Sequence, residues 1–353
     1  MNIKSLLLGS AAALAAVSGA QAADAIIAAE PEPMEYVRVC DAFGTGYFYI
    51  PGTETCLKIG GYVRFEVRGG DLLGLDTNGA NGGNGDEWDT RSRFSFRVST
   101  ASDTELGALK TYVETRFNYR SSVGDFDPAI GAREVSQGSS NSLNFAYIDL
   151  AGFRVGKTES AFLTYSGYIG NVMIDDLIAA GPYDTHVIQY NYDSGAGFTG
   201  IVSLEDFPDS GNDYVPNVVA GLGYDGGMFS ATVTGAFDSS AEEGAIKGRI
   251  DGDFGGFSAF VMAGWSTNTA GNDYATWGGD WAVWGGISAP LTETIKLNTQ
   301  LAYDDSKQFA ANVNANFTVV PGFVVTPEIV YYDDGAPGEG DAWGGMVRFQ
   351  RSF

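Results

Sequence analysis

Large apolar side chains recur at every second position in run after run of this chain. The clearest run lies between Phe309 and Val319, where apolar residues alternate with Asn312, Asn314, Asn316 and Thr318. A period of two places successive side chains on opposite faces of a β-strand, so each run predicts a strand with one apolar and one polar face. Counting the runs gives roughly 16 strands, in which short turns alternate with longer loops. The sequence therefore predicts an all-β fold.

The polar face of these strands indicates which kind of sheet they form. Ladders of Asn and Thr and inward arginines are stable only in contact with water, because buried unpaired charge is costly. After residue 22 no apolar run reaches the roughly 20 residues of a transmembrane helix. We therefore expect a transmembrane antiparallel β-barrel, apolar toward lipid and polar toward a lumen too wide for side chains to fill.

The last strand ends on Phe353, and this ending resembles the closing strand of bacterial outer-membrane β-barrels. Such a strand must pair with the first, predicted at Leu57 to Arg68, because an open edge in lipid leaves backbone groups without partners. We assign Phe353 as the C-terminal residue for assembly. The predicted barrel covers residues 57–353, and among its long loops we expect one from Ser121 to Asn141.

The N-terminal part of the chain precedes the strands. Residues 1–22 predict a cleaved signal peptide, because Lys4 and a short apolar stretch lead to Ala20-Gln21-Ala22. Residues 23–56 are expected to form an arm. It contains both cysteines, Cys40 and Cys56, which suit a disulfide in an oxidising periplasm, with two unpaired thiols as the alternative.

Charge is distributed unevenly along the chain. The formal net charge of -24 argues against a nucleic-acid partner. Thirteen of the 20 basic residues lie between Arg38 and Lys157, and none lies from Thr158 to Ile246. The lumen-facing positions of the first three strands predict a basic patch on one arc of the wall, formed by Arg64, Arg68, Arg91, Arg93, Arg97, Lys110 and Arg116.

The connection after the fifth strand, residues 157–184, combines apolar residues with adjacent acids. This pattern suits a loop that folds into the lumen, with Asp175 and Asp176 directed across the channel and Glu159 and Asp184 at its ends. Opposed acids and bases would give a transverse field at the narrowest point. A solvated outer loop, or acids paired with structural arginines, are the alternatives.

Three segments near the first strand resemble the start of the general porins of alphaproteobacteria. They are residues 37–44 (VRVCDAFG), 47–56 (YFYIPGTETC) and 60–64 (GGYVR), and the strand pattern extends the resemblance to Phe353. The family implies a 16-stranded barrel, usually trimeric, whose third extracellular loop folds into the pore. By position that loop is 157–184. The resemblance implies an outer-membrane location, with lipids and lipopolysaccharide as neighbours.

Other functions have weaker support in the residues. An outer-membrane hydrolase would need a catalytic His, but His186 is the one histidine and no nucleophile or metal-ligand motif accompanies it. A sugar-selective channel would need an aromatic lumen track, yet Tyr62, Tyr112 and Tyr147 are the inward aromatic exceptions. A plugged barrel would not conduct. We expect a passive pore for small hydrophilic solutes and ions, no enzyme and no cofactor, with a mild cation preference that the basic arc opposes.

Overall fold

The computed structural model describes residues 38–70, 88–127, 132–206, 214–268, 272–336 and 341–353. A short strand, β1 (Phe48–Tyr49), precedes sixteen longer ones. The first eight of these are β2 (Cys56–Gly69), β3 (Trp88–Thr104), β4 (Gly107–Asp127), β5 (Ala132–Leu150), β6 (Phe153–Glu159), β7 (Asp184–Asp193), β8 (Phe198–Asp206) and β9 (Asn217–Asp225). The other eight are β10 (Phe229–Asp238), β11 (Glu243–Asp253), β12 (Ser258–Ser266), β13 (Trp281–Pro290), β14 (Ile295–Asp304), β15 (Phe309–Val320), β16 (Phe323–Asp333) and β17 (Asp341–Ser352).

The sixteen longer strands form a closed antiparallel barrel, as the sequence predicted. Each strand from β2 onward pairs with the next, and β17 pairs with β2 from Ser352↔Tyr62 to Gly345↔Gly69. Phe353 continues this seam, because its N–H and C=O exchange hydrogen bonds of 3.1 Å with Gly61. A Cβ on Gly61 would come within 2.0 Å of the Ser95 carbonyl oxygen, so the seam needs glycine there.

Strands β4 and β5 are longer than the sequence predicted. The prediction of a loop from Ser121 to Asn141 was wrong, because β4 continues to Asp127 and β5 starts at Ala132. The segment is rich in Ser and Gly and lacks an apolar alternation. Cross-strand backbone pairing nevertheless extends the β4–β5 hairpin through it, with register shifts at Glu114/Thr115 and Val123/Phe126.

Short turns and longer connections lie at opposite ends of the barrel. The β5–β6 turn contains only Ala151 and Gly152, both with positive φ (51° and 86°), which suits a tight two-residue hairpin. In outer-membrane barrels short turns mark the periplasmic end and long loops the extracellular end. The β6–β7 connection is therefore an extracellular loop, and β6 continues to Glu159 rather than ending at Lys157.

A small structure packs on the periplasmic end of β2. Cys40 and Cys56 form a disulfide, and both are fully buried. β1 pairs with the first two residues of β2, at Phe48↔Leu57 and Tyr49↔Cys56, on the edge that β17 leaves uncovered. The backbone groups of that edge thereby obtain partners. The predicted signal peptide and the first part of the predicted arm, together residues 1–37, lie outside the described residues.

The lumen contains the chain that connects β6 and β7. Residues 160–183 pack against the inner wall, beginning with the short helix α1 (Ala161–Thr164), which Ser160 caps by accepting a hydrogen bond from the Phe162 N–H. Together with wall residues this segment forms the main apolar cluster of the molecule. In the described part of the chain, no helix has both the length and the apolar character needed to cross a membrane.

Candidate functional site

One arc of the inner wall, formed by β17, β2, β3 and β4, carries a dense network of arginines around three buried carboxylates. Glu66 is 0% exposed and accepts from Arg91 Nε and Arg348 Nε, each at 2.7 Å. Arg64 Nη1 lies 3.6 Å from the same carboxylate. A buried carboxylate is stable only with such charged partners, so Glu66 holds three strands of the arc together.

Asp89 and Glu114 repeat this arrangement further along the arc. Asp89 accepts from Arg68 Nε at 2.7 Å and from Arg120 Nε at 2.6 Å. Glu114 accepts from Arg97 Nε at 2.8 Å and from Arg116 Nε at 2.7 Å. We call the whole group the basic arc, and its members are Arg64, Arg68, Arg91, Arg93, Arg97, Arg116, Arg120 and Arg348 with Glu66, Asp89 and Glu114.

The basic arc has a positive excess despite its carboxylates. Eight guanidinium groups against three carboxylates leave five positive charges on this side of the lumen. Two members have amide partners at Nε: Arg64 donates to Gln350 Oε1 at 2.8 Å, and Arg93 donates to Asn118 Oδ1 at 2.7 Å. Lys110, which was predicted to belong to the basic patch, lies near the periplasmic end of β4, opposite Ala101 and Asp149, and is exposed.

Replacing Glu66 by Gln should destabilise the barrel. The substitution keeps the side-chain volume but leaves Arg64, Arg91 and Arg348 without their shared counter-charge, which costs about 3 kcal/mol. Urea unfolding of the protein in detergent micelles measures the loss. Glu105→Gln in the exposed β3–β4 turn is the control, expected to stay within about 0.5 kcal/mol. Equal stability of the two variants would show that Glu66 does not organise the arc.

The loop between β6 and β7 is held against the wall outside the basic arc by two buried glutamates. Glu205 on β8 accepts from Ser160 Oγ at 2.7 Å and from the Ala161 N–H at 2.8 Å, at the point where the loop begins. Glu328 on β16 accepts from the N–H groups of Met173 and Ile174, at 2.6 and 2.9 Å. Wall carboxylates thus satisfy loop backbone donors that would otherwise have to find water.

Further contacts fix the loop between these two anchors. Trp284 Nε1 donates to the Ile178 carbonyl at 2.7 Å, and Asn312 Nδ2 donates to the Ile174 carbonyl at 2.7 Å. The buried Lys247 ammonium donates to the Ala180 carbonyl. Four apolar side chains of the loop are also buried against the wall: Phe162, Leu163, Ile169 and Ile178. Burial of each contributes about 1.5–3 kcal/mol to holding the loop in place.

The loop directs acidic groups away from its anchored side. Asp176 is exposed and its charge interacts with that of Arg68, whereas the Glu159 carboxylate interacts with Arg116 and accepts a hydrogen bond from Tyr168. Asp175 is half-buried beside Asp176. Three of the four predicted acids therefore lie in the lumen, between the anchored loop and the basic arc.

Asp184 differs from the other predicted acids. It is 63% exposed, pairs with Lys157, and shares a face of β7 with His186 and Ile188. The lumen face of β7 is instead formed by the buried Thr185 and Val187. The structure therefore does not bring Asp184 together with Asp175 and Asp176, because alternation places it on the outward side of the strand.

Burial within the loop changes the ionisation of Asp175. Loss of hydration, followed by repulsion from the Asp176 carboxylate, raises the pKa of Asp175 to about 6. Burial and the neighbouring Glu159 carboxylate also raise the pKa of the Tyr168 phenol well above its ordinary value. Tyr168 therefore stays protonated, as its hydrogen bond to Glu159 requires.

The described part of the lumen has no histidine that could act as a catalytic base. His186 lies on the outward face of β7, separated from the loop by the strand itself. Within the described ranges, no cluster of three or more His, Cys, Asp or Glu side chains is placed to hold a metal ion. The described site offers charged and polar surfaces rather than a nucleophile with its base.

Sequence reasoning missed the carboxylates that organise the site. Glu66 and Glu114 lie on the arginine-bearing faces of their strands, and strand alternation alone places them beside the guanidinium groups. Glu205 and Glu328 had no comparable signal, because their loop partners are 44 and 155 residues away along the chain. Pairing over that separation is set by the closure of the barrel.

A closed barrel of sixteen strands with an inward loop defines a membrane channel of the porin class. The model of the Porin subfamily matches residues 24–344, which is most of the chain. The chain is also 49% identical to Porin Omp2b of Brucella suis biovar 1 and of Brucella melitensis biotype 1, over 373 aligned positions that cover all of each protein. The chain therefore belongs to the Porin subfamily, and it forms an outer-membrane channel rather than an enzyme.

Solved structures of other porins share this fold at low sequence identity. The outer-membrane channel DcaP of Acinetobacter baumannii superposes with a TM-score of 0.65 at 15% identity, over 86% of this chain and 99% of that one. An anion-selective porin from Comamonas acidovorans gives a TM-score of 0.55 at 15% identity, over 85% of this chain and all of that one. These likenesses support the barrel fold.

Proposed function

We propose that the channel is a general diffusion pore whose narrowest point lies between the loop acids and the basic arc. The observation that carries this proposal is that a loop anchored on β8 and β16 places Asp175 and Asp176 in the lumen, where the charge of Asp176 interacts with that of Arg68 on a wall with five excess positive charges. Charges of opposite sign across a water-filled gap orient polar solutes and keep apolar ones out. Transport is passive and follows the solute's own gradient.

A liposome swelling assay tests general diffusion. The purified protein should admit neutral sugars at rates that fall smoothly as their mass rises, because a gap without a dedicated recognition site sorts solutes by size. Stereoisomeric hexoses should enter at equal rates. One isomer entering several-fold faster than its epimer would contradict general diffusion and support a substrate-selective channel.

We further propose that the mature protein begins at Ala23 and assembles as a homotrimer among outer-membrane lipids and lipopolysaccharide. The Ala-x-Ala ending at Ala20 to Ala22 supports the cleavage site, and membership of the Porin subfamily supports the trimer. The mass of the purified protein should equal that of residues 23–353. A mass that includes Met1 to Ala22 would contradict cleavage.

Ion selectivity should depend on pH near neutrality because Asp175 titrates there. With a pKa of about 6, Asp175 is mostly neutral at pH 5 and mostly charged at pH 7, so the preference for cations should increase as pH rises. Reversal potentials across a KCl gradient measure this, with a midpoint near pH 6. Asp175→Asn should remove the step. A step of the same size in that variant would assign it to another group.

A further inference from the structure

A recess lies in the lumen wall beside the base of the loop, between strands β3 to β7 and α1. It has a volume of about 450 Å³, and residues of both the wall and the loop line it. The features that matter are three guanidinium groups and three aromatic rings, belonging to Arg97, Arg116, Arg154, Tyr112, Phe145 and Tyr147.

The three rings form one cluster on the lumen face of β4 and β5. Phe145 and Tyr147 are two residues apart on β5, so alternation places both on this face. Glu114 pairs with Phe145 while the next residue, Thr115, pairs with Leu143, so Asn144 is bulged out of register and Leu143 turns away from the lumen. The Tyr112 ring centroid lies 5.8 Å from that of Phe145 and 5.5 Å from that of Tyr147.

One guanidinium group stacks on these rings, and a second is held beside them. Arg154 stacks over Tyr147 with its central carbon 3.9 Å from the ring centroid, and Asp149 holds it there through two hydrogen bonds. Arg97, whose side chain is 42% exposed, is held by Glu114, which also accepts from the Tyr112 hydroxyl at 3.0 Å. The orientation of each cation is thus fixed before any solute arrives.

The charge around the recess favours an anion. Arg97 and Arg116 share the single carboxylate of Glu114, and both belong to the basic arc with its positive excess. Glu159, the last residue of β6, also lines the recess, where it interacts with Arg116 and accepts a hydrogen bond from Tyr168. The lining therefore carries three guanidinium groups against two carboxylates, those of Glu114 and Glu159. A solute carboxylate would therefore be drawn to the wall side, where the rings are.

We propose that this recess binds small aromatic carboxylates, with the solute ring against Tyr112, Phe145 and Tyr147 and its carboxylate on Arg97 and Arg116. Flat rings pack on aromatic side chains, and the planar guanidinium group matches a carboxylate in two hydrogen bonds. The inference rests on the proposed pore, because the recess opens into its lumen. It adds a weak preference for one solute class to an otherwise general channel.

Current block by two matched anions tests the proposal. Benzoate and cyclohexanecarboxylate carry the same charge and similar volume, and only benzoate has a flat aromatic ring. In planar bilayers, benzoate should reduce the ion current with a half-saturating concentration about tenfold lower than that of cyclohexanecarboxylate. Equal block by both anions would overturn the proposal. This comparison uses the native protein, so it does not depend on any variant folding.

Substitutions test whether the preference for benzoate arises in this recess. Phe145→Leu combined with Tyr147→Leu should abolish the preference for benzoate, whereas Phe117→Leu on the outward face of β4 should keep it. A preference retained in the double variant would place it elsewhere in the lumen. Absence of any ion current would instead contradict the proposed pore, whereas a conducting channel without a preference for benzoate contradicts this inference alone.

Discussion

Replacing Asp175 and Asp176 together by Asn should shift the reversal potential strongly toward anions. The substitution removes two negative charges that face the basic arc and leaves its guanidinium groups in place. One charge at about 4 Å contributes about 1 kcal/mol even in water, so the ratio of cation to anion permeability should fall by about fivefold or more. Reversal potentials across a tenfold KCl gradient, recorded at pH 7.5 to keep Asp175 ionised in the native protein, measure the change.

A variant with the same change in net charge provides the control. Asp103→Asn with Glu105→Gln removes two acids at the exposed β3–β4 turn, at the periplasmic end of the barrel. Salt screens charges that far from the constriction, so selectivity should stay close to that of the native protein. Equal shifts in the two double variants would show that Asp175 and Asp176 have no special position in the conduction path.

Releasing the loop from its wall should enlarge the pore. Glu205→Ala with Glu328→Ala removes the acceptors for Ala161, Met173 and Ile174, and each lost hydrogen bond to a charged group costs about 1.5–3 kcal/mol. The loop keeps its apolar contacts, so we expect a fluctuating gap rather than complete removal. Single-channel conductance and current noise should rise, and larger neutral sugars should enter liposomes.

Thr326→Ala is the matched control for loop release. Thr326 lies on β16 two residues before Glu328 and faces the lumen, but its hydroxyl donates to Asn316 rather than to the loop. Its removal should leave conductance and the size limit unchanged. If the double glutamate variant also kept the native size limit, the loop would not form the narrowest point, and the constriction would have to lie elsewhere.

Much of the barrel could be predicted from local patterns in the sequence. Alternation fixes the face of each side chain, which is why Arg64 and Arg91 were placed in the lumen from the sequence and why β17 was expected to close on β2. The β4–β5 hairpin was missed because the sequence from Ser121 to Asn141 has no regular apolar alternation, and alternation was the signal used for strands. Backbone pairing across the hairpin determines its length instead.

The candidate site was less predictable because it depends on contacts between distant strands. The inward loop was expected from its apolar residues beside Asp175 and Asp176, but its anchors on Glu205 and Glu328 follow from barrel closure. Asp184 was assigned to the same group by composition, although one residue of alternation separates it from the lumen. Phe145 shares the lumen face with Tyr147 by simple alternation, but the contact of both rings with Tyr112 depends on the pairing of β4 with β5.

The central claim is that this chain forms an open, water-filled channel that a loop narrows from within. Single-channel recording in planar bilayers, with neutral solutes of graded size added to the electrolyte, tests it most directly. We predict stepwise conductance that small solutes reduce and that solutes above a sharp size limit leave unchanged, with the limit moving upward in the Glu205→Ala and Glu328→Ala double variant. Purified, folded protein that inserts without any steady conductance would contradict the claim.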